Sequence, residues 1–479
     1  MLKKITLTLF SLGMALSCSR DQQATSEISP STAFSNPSKP IERAVIDAMI
    51  LRQLNRNDKF EWSMVDVPTI WSAAVQSDSI LSIGYQPTNE SNLNNRLHEI
   101  NFNQVAWQTV RDKIIAMVVA ETNRQYPGKR YTAADLKPFG YDRALPVINI
   151  KVSSLNLLEQ LRGMPEVRYL EPMGYDLSAS GPRGSLGCGN APNYSITDVD
   201  YTVVDTDAKV SWHLPFSKIP QVWPRSTGRG ITIALLDTGT SPDQKKLNVQ
   251  FNSGQSTGRS ITRLGTYAPG FFYSAADGPD DRCGHGTLMA GIIAAPRTGG
   301  GTPIGIAYGA NLVAIRVTSD VIVDGSNEKK GFADGLVLAG NNPAVKIVSI
   351  SLGNIISSSQ VADAVRYAYG KGKMLFAAAG TSLTFTSWWG VVFPANMDEC
   401  IAVTGVQDAL PLTKCSTCHD GRDVEFAAVM ERESPEHRKA LSLAMNGDLP
   451  ATIGGSSAGT ATMAGIAALV WSANPSLTR

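Results

Sequence analysis

The sequence predicts an α/β protein in three layers, with helices on both faces of a mainly parallel sheet and a small α+β unit in front of it. Three observations predict it. From about Gly230 onward, short apolar runs alternate with helix-like stretches; strands that are apolar throughout are buried on both faces, as in parallel sheets. Residues able to do chemistry stand directly after such runs, where open α/β sheets carry their sites. Finally, 479 residues with 43% hydrophobic and 18% charged side chains suffice for one large core or two to three ordinary ones.

Residues 1–17 read as a secretory signal: Lys3 and Lys4 precede an apolar run over 5–16 that is too short to span a bilayer. Export is therefore expected. The run ends in Ala15-Leu16-Ser17-Cys18, which resembles the lipobox of bacterial lipoproteins, although Leu is more usual where Ala15 stands. That resemblance implies lipidation of Cys18 and attachment to a membrane of the cell envelope; without it the protein is secreted. Residues 18–40, rich in Ser, Pro, Gln and Thr, read as a solvated tether.

Apolar residues at helical spacing (Ile41, Val45, Ala48, Met49) predict a helix over 41–54. Residues 55–110 show no clear period, so 41–110 stands as an N-terminal extension of unassigned role, with Trp62, Trp71 and Trp107 expected as core anchors. A continuous apolar strand is expected at 114–120, an alternating strand at 146–152, a helix over 153–162 capped by Ser153 or Ser154, and a strand at 167–170. Residues 111–175 thus form the α+β unit, followed by a linker over 176–209. The main domain, 210–479, has expected strands at 231–236, 312–317, 346–350, 373–378 and 400–404 and helices near 287–295, 332–339, 361–369 and 460–471. The last residues, from Asn474-Pro475 to Arg479, read as the start of a further helix.

Charge narrows the partners by exclusion. Forty-three Lys+Arg against 42 Asp+Glu, a net +1, supply no overall field for binding nucleic acid. Five histidines (His98, His213, His285, His419, His437) are the candidates for proton transfer near neutral pH. At the expected carboxyl ends of the strands stand three groups. Asp237, in Leu235-Leu236-Asp237-Thr238-Gly239, is a carboxylate leaving a buried strand and needs a partner. His285, in Cys283-Gly284-His285-Gly286-Thr287, lies between glycines expected to leave its approaches open. Ser457, in Gly454-Gly455-Ser456-Ser457-Ala458-Gly459, opens a helix of small residues whose N–H groups and dipole stabilise developing negative charge. Singly, these residues read as a turn acid, a structural histidine and an N-cap; in the order Asp, His, Ser they supply an orienting acid, a base and a nucleophile.

Their surroundings resemble the subtilisin-like serine proteases, the subtilases: "IALLDTG" around the acid, "GHGTLMAGIIAA" around the histidine and "GSSAGTATMAGIAAL" around the serine, 48 and 172 positions apart. The likeness continues through "GIAYGANLVAIRV", "IVSISLGN" and "FPANMDECIAVTGV", from about Val210 to Arg479. The piece "SSLNLLEQLRGMPEVRYLEP" is similar to the second half of the prodomain that chaperones and inhibits such enzymes. The resemblance implies that 111–175 is an inhibitor-like prodomain and that the chain cuts itself between about Tyr175 and Tyr201. It implies a peptide or protein substrate, cleaved through Asp237, His285 and Ser457. It lays that substrate as an added strand along Ser351-Leu352-Gly353, with the side chain before the cut in a pocket walled by Ala378-Ala379-Gly380. Val392 stands where the family usually has glycine on the pocket floor, so small or medium side chains are expected. No cofactor is required. The family's calcium loop is replaced by Pro296-Arg297-Thr298-Gly299-Gly300-Gly301, poor in ligand oxygens, which leaves Asp243 as an isolated candidate.

Where the family reads "AAGN", this chain reads Ala378-Ala379-Gly380-Thr381, so the amide that donates to the oxyanion gives way to the shorter Thr381 hydroxyl beside the Ser457 N–H. Ser456 stands for the usual Thr, while Ala458-Gly459 and Ala461-Thr462 replace Met-Ala and Pro-His. These departures keep open a binding protein on the same scaffold, with catalysis lost. Cys415-Ser416-Thr417-Cys418-His419 also spells the attachment motif of c-type haem, which would make an exported haem lipoprotein; a disulfide or a small metal site with Cys400 competes. Of the six cysteines, five remain once Cys18 is set aside, so at least one stays unpaired within the chain; Cys283 is either that thiol or the partner of Cys188.

Overall fold

The computed structural model describes residues 39–57, 59–177, 188, 194–204, 207–270, 274–381 and 390–479. The expected signal, Cys18, nearly all of the tether and much of the linker lie outside the described residues. The first unit comprises α1 (Arg43–Asn57), α2 (Val67–Val75), β1 (Ile80–Tyr85), α3 (Leu93–Arg96), α4 (Val105–Gln125), α5 (Ala133–Leu136), β2 (Val147–Lys151), α6 (Leu155–Arg162) and β3 (Val167–Pro172). Its three strands form an antiparallel sheet in the order β2-β1-β3. The central strand comes from within 41–110, so the expected division at 110 runs through one folded unit. Ile50, Trp62, Ile70 and Trp107 share a core with Ile150 and Leu158; half-buried Trp71 donates its indole N–H to the Ser153 carbonyl at 2.9 Å.

The expected strand at 114–120 is instead the middle of α4. Trp107, Val110, Ile114, Ile115, Val118 and Thr122 are buried, a three-to-four-residue recurrence that belongs to a helix. A short apolar run has no period of its own, and this one shows its helical face only together with its polar flanks. The helix after β2 starts as expected, the Ser154 hydroxyl oxygen accepting the Leu157 N–H at 3.2 Å.

The rest of the chain opens with the antiparallel pair β4 (Tyr201–Val204) and β5 (Ala208–Ser211) and the short α7 (His213–Phe216) and α8 (Ile219–Val222). There follow β6 (Thr232–Asp237), β7 (Ile261–Gly265), α9 (His285–Ala294), β8 (Asn311–Arg316), α10 (Ser326–Asn341), β9 (Val345–Ile350), α11 (Ser359–Gly370), β10 (Met374–Ala378), β11 (Cys400–Gln407), β12 (Val424–Glu431), β13 (Ala440–Leu443), β14 (Pro450–Ile453) and α12 (Gly455–Ala473). Seven strands make one parallel sheet, β12-β11-β10-β9-β6-β8-β7. The five expected strands are all present. The two unforeseen ones, β7 and β12, form the sheet edges, where partial exposure removes the continuous apolar run.

Alternate residues of β6 face opposite cores. Ala234 and Leu236 pack with Phe332, Leu336, Val361 and Ala364 of α10 and α11, whereas Ile233 and Leu235 pack with Met289, Ile293, Ala461 and Ala464 of α9 and α12. That alternation makes the three layers. The first of these cores continues into the N-terminal unit, whose β1 lies against α11. Strand order reverses around β6, and such a reversal opens a crevice at the carboxyl ends of the strands. After α12 the chain makes a turn, the Leu477 N–H donating to the Asn474 carbonyl at 3.1 Å, where a helix start was expected. No described helix is long and apolar enough to cross a membrane.

Candidate active site

Asp237 is the last residue of β6 and His285 the first of α9. Asp237 Oδ1 lies 2.8 Å from His285 Nδ1 and also accepts the Thr238 N–H at 2.8 Å. Both side chains are buried, 0% and 3% exposed. Burial by itself pulls the His285 pKa down, but the Asp237 charge and hydrogen bond, with the Asp281 and Asp320 charges, outweigh it and hold the pKa above its ordinary value.

Asp281 has no place among the sequence-predicted residues, yet it shapes the histidine loop. It is buried; its Oδ1 accepts the N–H groups of Cys283 (2.9 Å) and Gly284 (2.8 Å) and the Thr238 hydroxyl (2.9 Å). Its Oδ2 accepts the Thr287 N–H (2.9 Å) and hydroxyl (2.6 Å). One carboxylate thus ties the end of β6 to the start of α9. Its signal in the sequence is an acid just ahead of a helix start, where side-chain oxygens collect unpaired N–H groups. The glycine after His285 serves contact rather than access: a Cβ on Gly286 would lie 2.1 Å from the Gly239 carbonyl oxygen.

Ser457 is half-buried near the start of α12. Its hydroxyl donates to the Ser351 carbonyl at 3.5 Å, and the Ser351 hydroxyl donates to the Ser457 carbonyl at 3.2 Å. Ser351 follows β9, Gly380 follows β10, and Gly405, in the last part of β11, lies against Gly455. Helix α12 packs on α9. The acid, the histidine and the serine therefore stand at the same end of the sheet, over the adjacent strands β6, β9, β10 and β11.

Thr381 is exposed and touches the start of α12 through hydroxyl contacts. The Ser456 hydroxyl oxygen accepts the Gly380 N–H at 3.1 Å, Thr381 Oγ1 accepts the Ser456 N–H at 3.2 Å, and the two hydroxyl oxygens are 3.0 Å apart. Gly455, at φ +77°, leaves the room: a Cβ there would lie 2.7 Å from Thr381 Oγ1. The Val392 N–H donates to the Ala379 carbonyl at 2.9 Å, and Val392 Cγ2 is 3.1 Å from where a Gly353 Cβ would stand. Val392 thus lies between the chain ends that follow β9 and β10, with Ala378 and Ala379 buried beside it.

Within the expected substrate-strand segment Ser351-Leu352-Gly353, Gly353 is already paired. The Gly353 N–H donates to the Val321 carbonyl at 3.3 Å, and the Gly353 carbonyl accepts the Val323 N–H at 3.1 Å. Val323 is buried and pins its segment there.

Cys188 bonds Cys283, Cys415 bonds Cys418, and Cys400 is a free thiol in the core whose pKa burial pushes up. Haem attachment through Cys415 and Cys418 is thereby corrected: their sulfurs are spent on each other, and buried His419 has its Nδ1 3.1 Å from the Gly390 carbonyl. Among the described residues, the one close grouping of three metal-type side chains is Cys188, Cys283 and Asp320, and both of its sulfurs lie in a disulfide. Asp243 is exposed. Of the other histidines, His213 is buried and pushed down to about 3 by that burial.

A sequence model of the Subtilase family matches residues 228–479, more than half of the chain. The chain is 29% identical to M-protease of Shouchella clausii over 288 residues, 60% of this chain and 66% of that protein. It is 29% identical to subtilisin Savinase of Lederbergia lenta over 270 residues, 56% and 86% of the two chains. Thermitase of Thermoactinomyces vulgaris is 32% identical over 163 residues, 34% and 52%. With its parallel sheet reversing at β6 and its acid, histidine and serine at one end of that sheet, the chain belongs to the subtilase family.

Proposed function

We propose that the chain is an exported serine endopeptidase hydrolysing peptide bonds through Asp237, His285 and Ser457 by way of an acyl-enzyme. The buried 2.8 Å contact between His285 Nδ1 and Asp237 Oδ1, at the sheet end that also carries Ser457, supports this most directly. Asp237 holds the imidazole in the tautomer with Nε2 unprotonated, Nε2 takes the Ser457 proton as the hydroxyl adds to the carbonyl, and the imidazolium returns that proton to the leaving amine. Water then repeats the sequence on the acyl-enzyme.

The oxyanion is held by the Ser457 N–H at the start of α12 and by the Thr381 hydroxyl. Thr381 Oγ1 can fill its acceptor positions with the Ser456 N–H and hydroxyl, which leaves its own proton for the substrate. Val392, between the walls formed by Gly353 and Ala379, makes a shallow pocket for a small or medium side chain. The N-terminal unit is the prodomain, folding aid and inhibitor in one; a lipid on Cys18 anchors the exported protein; no cofactor takes part. Thr381 and the paired edge at Gly353 favour a second reading, a binding protein that has lost catalysis.

Mass spectrometry of the mature N-terminus for wild type and Ser457→Ala, with fluorophosphonate labelling, separates the two. The peptidase labels at Ser457 and cuts itself between about Tyr175 and Tyr201 only when Ser457 is present. Absence of both label and cut leaves the binding protein.

A further inference from the structure

The segment between β8 and α10 lies where a substrate strand is expected. Ser351, whose carbonyl is in contact with the Ser457 hydroxyl, marks the place of the peptide residue at the cut. Gly353 is two residues further along, about 7 Å at the rise of an extended chain, and so faces the third peptide residue on the acyl side. Both backbone groups of Gly353 are taken, the N–H by Val321 and the carbonyl by Val323.

This pairing is held from several sides. The Thr318 hydroxyl donates to the Asp320 carbonyl at 2.7 Å, and Asp320 Oδ1 accepts the Val321 N–H at 2.6 Å, which shapes the turn into the segment. Asn354 Nδ2 donates to the Val323 carbonyl at 2.9 Å, and the Val323 side chain is 4% exposed. Further on, the buried Lys329 ammonium donates to the Met173 carbonyl of the N-terminal unit at 2.7 Å.

We propose that residues 321–323 determine the length of substrate the site accepts. They are a built-in competitor strand, which a peptide must displace from Gly353 before its third acyl-side residue and those beyond it can pair. The proposal rests on the peptidase reading. An acyl side of one or two residues meets no such competitor, whereas a longer one exchanges its own two backbone hydrogen bonds for the two it breaks, so added length yields little affinity.

The test uses the full chain and two chromogenic substrates, acetylated di-alanine and tetra-alanine p-nitroanilides. Val323→Pro removes the N–H that Gly353 accepts, and Asn354→Ala releases the Val323 carbonyl, so a misfolded proline variant does not end the experiment. Wild type should favour the longer substrate by less than about threefold in kcat/KM, and the variants by about tenfold or more, the value of one or two freed hydrogen bonds. A wild type that already favours tetra-alanine tenfold, or variants with an unchanged ratio, overturns the proposal.

Hydrogen exchange on Ser457→Ala needs no turnover. Acetyl-tetra-alanine amide should speed exchange at the Val323 N–H while Gly353 stays protected. Peptide binding that leaves Val323 protected overturns the proposal. Failure of wild type to hydrolyse either substrate or to label at Ser457 overturns the peptidase reading instead, and the exchange result still decides the role of 321–323.

Discussion

Glu171, near the end of β3, closes on Ser359, the first residue of α11: one carboxylate oxygen accepts the Ser359 N–H at 2.7 Å and the other accepts the Ser359 hydroxyl. An unpaired N–H at a helix start in the main domain is thus satisfied from the N-terminal unit. Burial, against the Ser359 hydrogen bonds and the Lys329 charge, pushes the Glu171 pKa up to about 7 from 4.5. A carboxyl with a raised pKa binds more protons in the folded contact than when released, so the contact is strongest below about pH 4.5 and weakens as pH rises through about 7. The full effect is roughly 3 kcal/mol. The thermal midpoint of the full chain should fall across that window, and more steeply than in Glu171→Gln; parallel curves for the two proteins would remove Glu171 as the cause.

In the proposed mechanism the base is neutral His285, and its raised pKa should place the acidic limb of the activity profile above 6.5. Asp320→Asn takes away one of the charges that raise it and should move the limb to lower pH. Asp237→Asn should cost about 10⁴-fold in kcat, because the imidazole then settles in the wrong tautomer. Both effects are read from kcat/KM against pH on an ester substrate.

Thr381→Val keeps the shape of the side chain and removes its hydroxyl. We expect kcat to fall by about 10²-fold, the lower end of what one oxyanion donor contributes in a subtilisin-type enzyme, with KM little changed and Thr381→Ser retaining activity. Equal rates for wild type and Thr381→Val would leave the oxyanion to backbone groups.

Val392→Gly removes the side chain between the two pocket walls. Preference before the cut should move from Ala or Val toward Phe and Tyr, with kcat/KM for a Phe substrate rising by roughly tenfold or more. A peptide library profile that does not change on this substitution would place the pocket floor elsewhere.

The candidate site was legible where its proposed chemistry sits in short segments. Asp237, His285 and Ser457 each follow or open an apolar run, and the runs themselves form the strand and helices that carry them. The five central strands were legible for the same reason, since burial on both faces leaves an unbroken apolar run. The edge strands β7 and β12 were not, because one exposed side dilutes the pattern. In α4 the apolar stretch 114–120 fits a strand locally, and only packing against the core of the N-terminal unit makes its helical face the buried one. The pairing of Cys415 with Cys418 was one of several options, and proximity in the fold selected it.

What the sequence determined by itself was the class of fold, the order of acid, histidine and serine, and the departure at Thr381, all written in contiguous residues. What only the tertiary structure decided depends on groups that meet across the chain: Asp281 accepting the Thr238 hydroxyl from 43 residues away, Val392 lodged between two strand ends, Gly353 already paired with Val321 and Val323, and Glu171 reaching Ser359 from 188 residues away. Buried polar groups must find partners wherever the fold brings them, and which partners those are is a property of packing in three dimensions that no local pattern encodes.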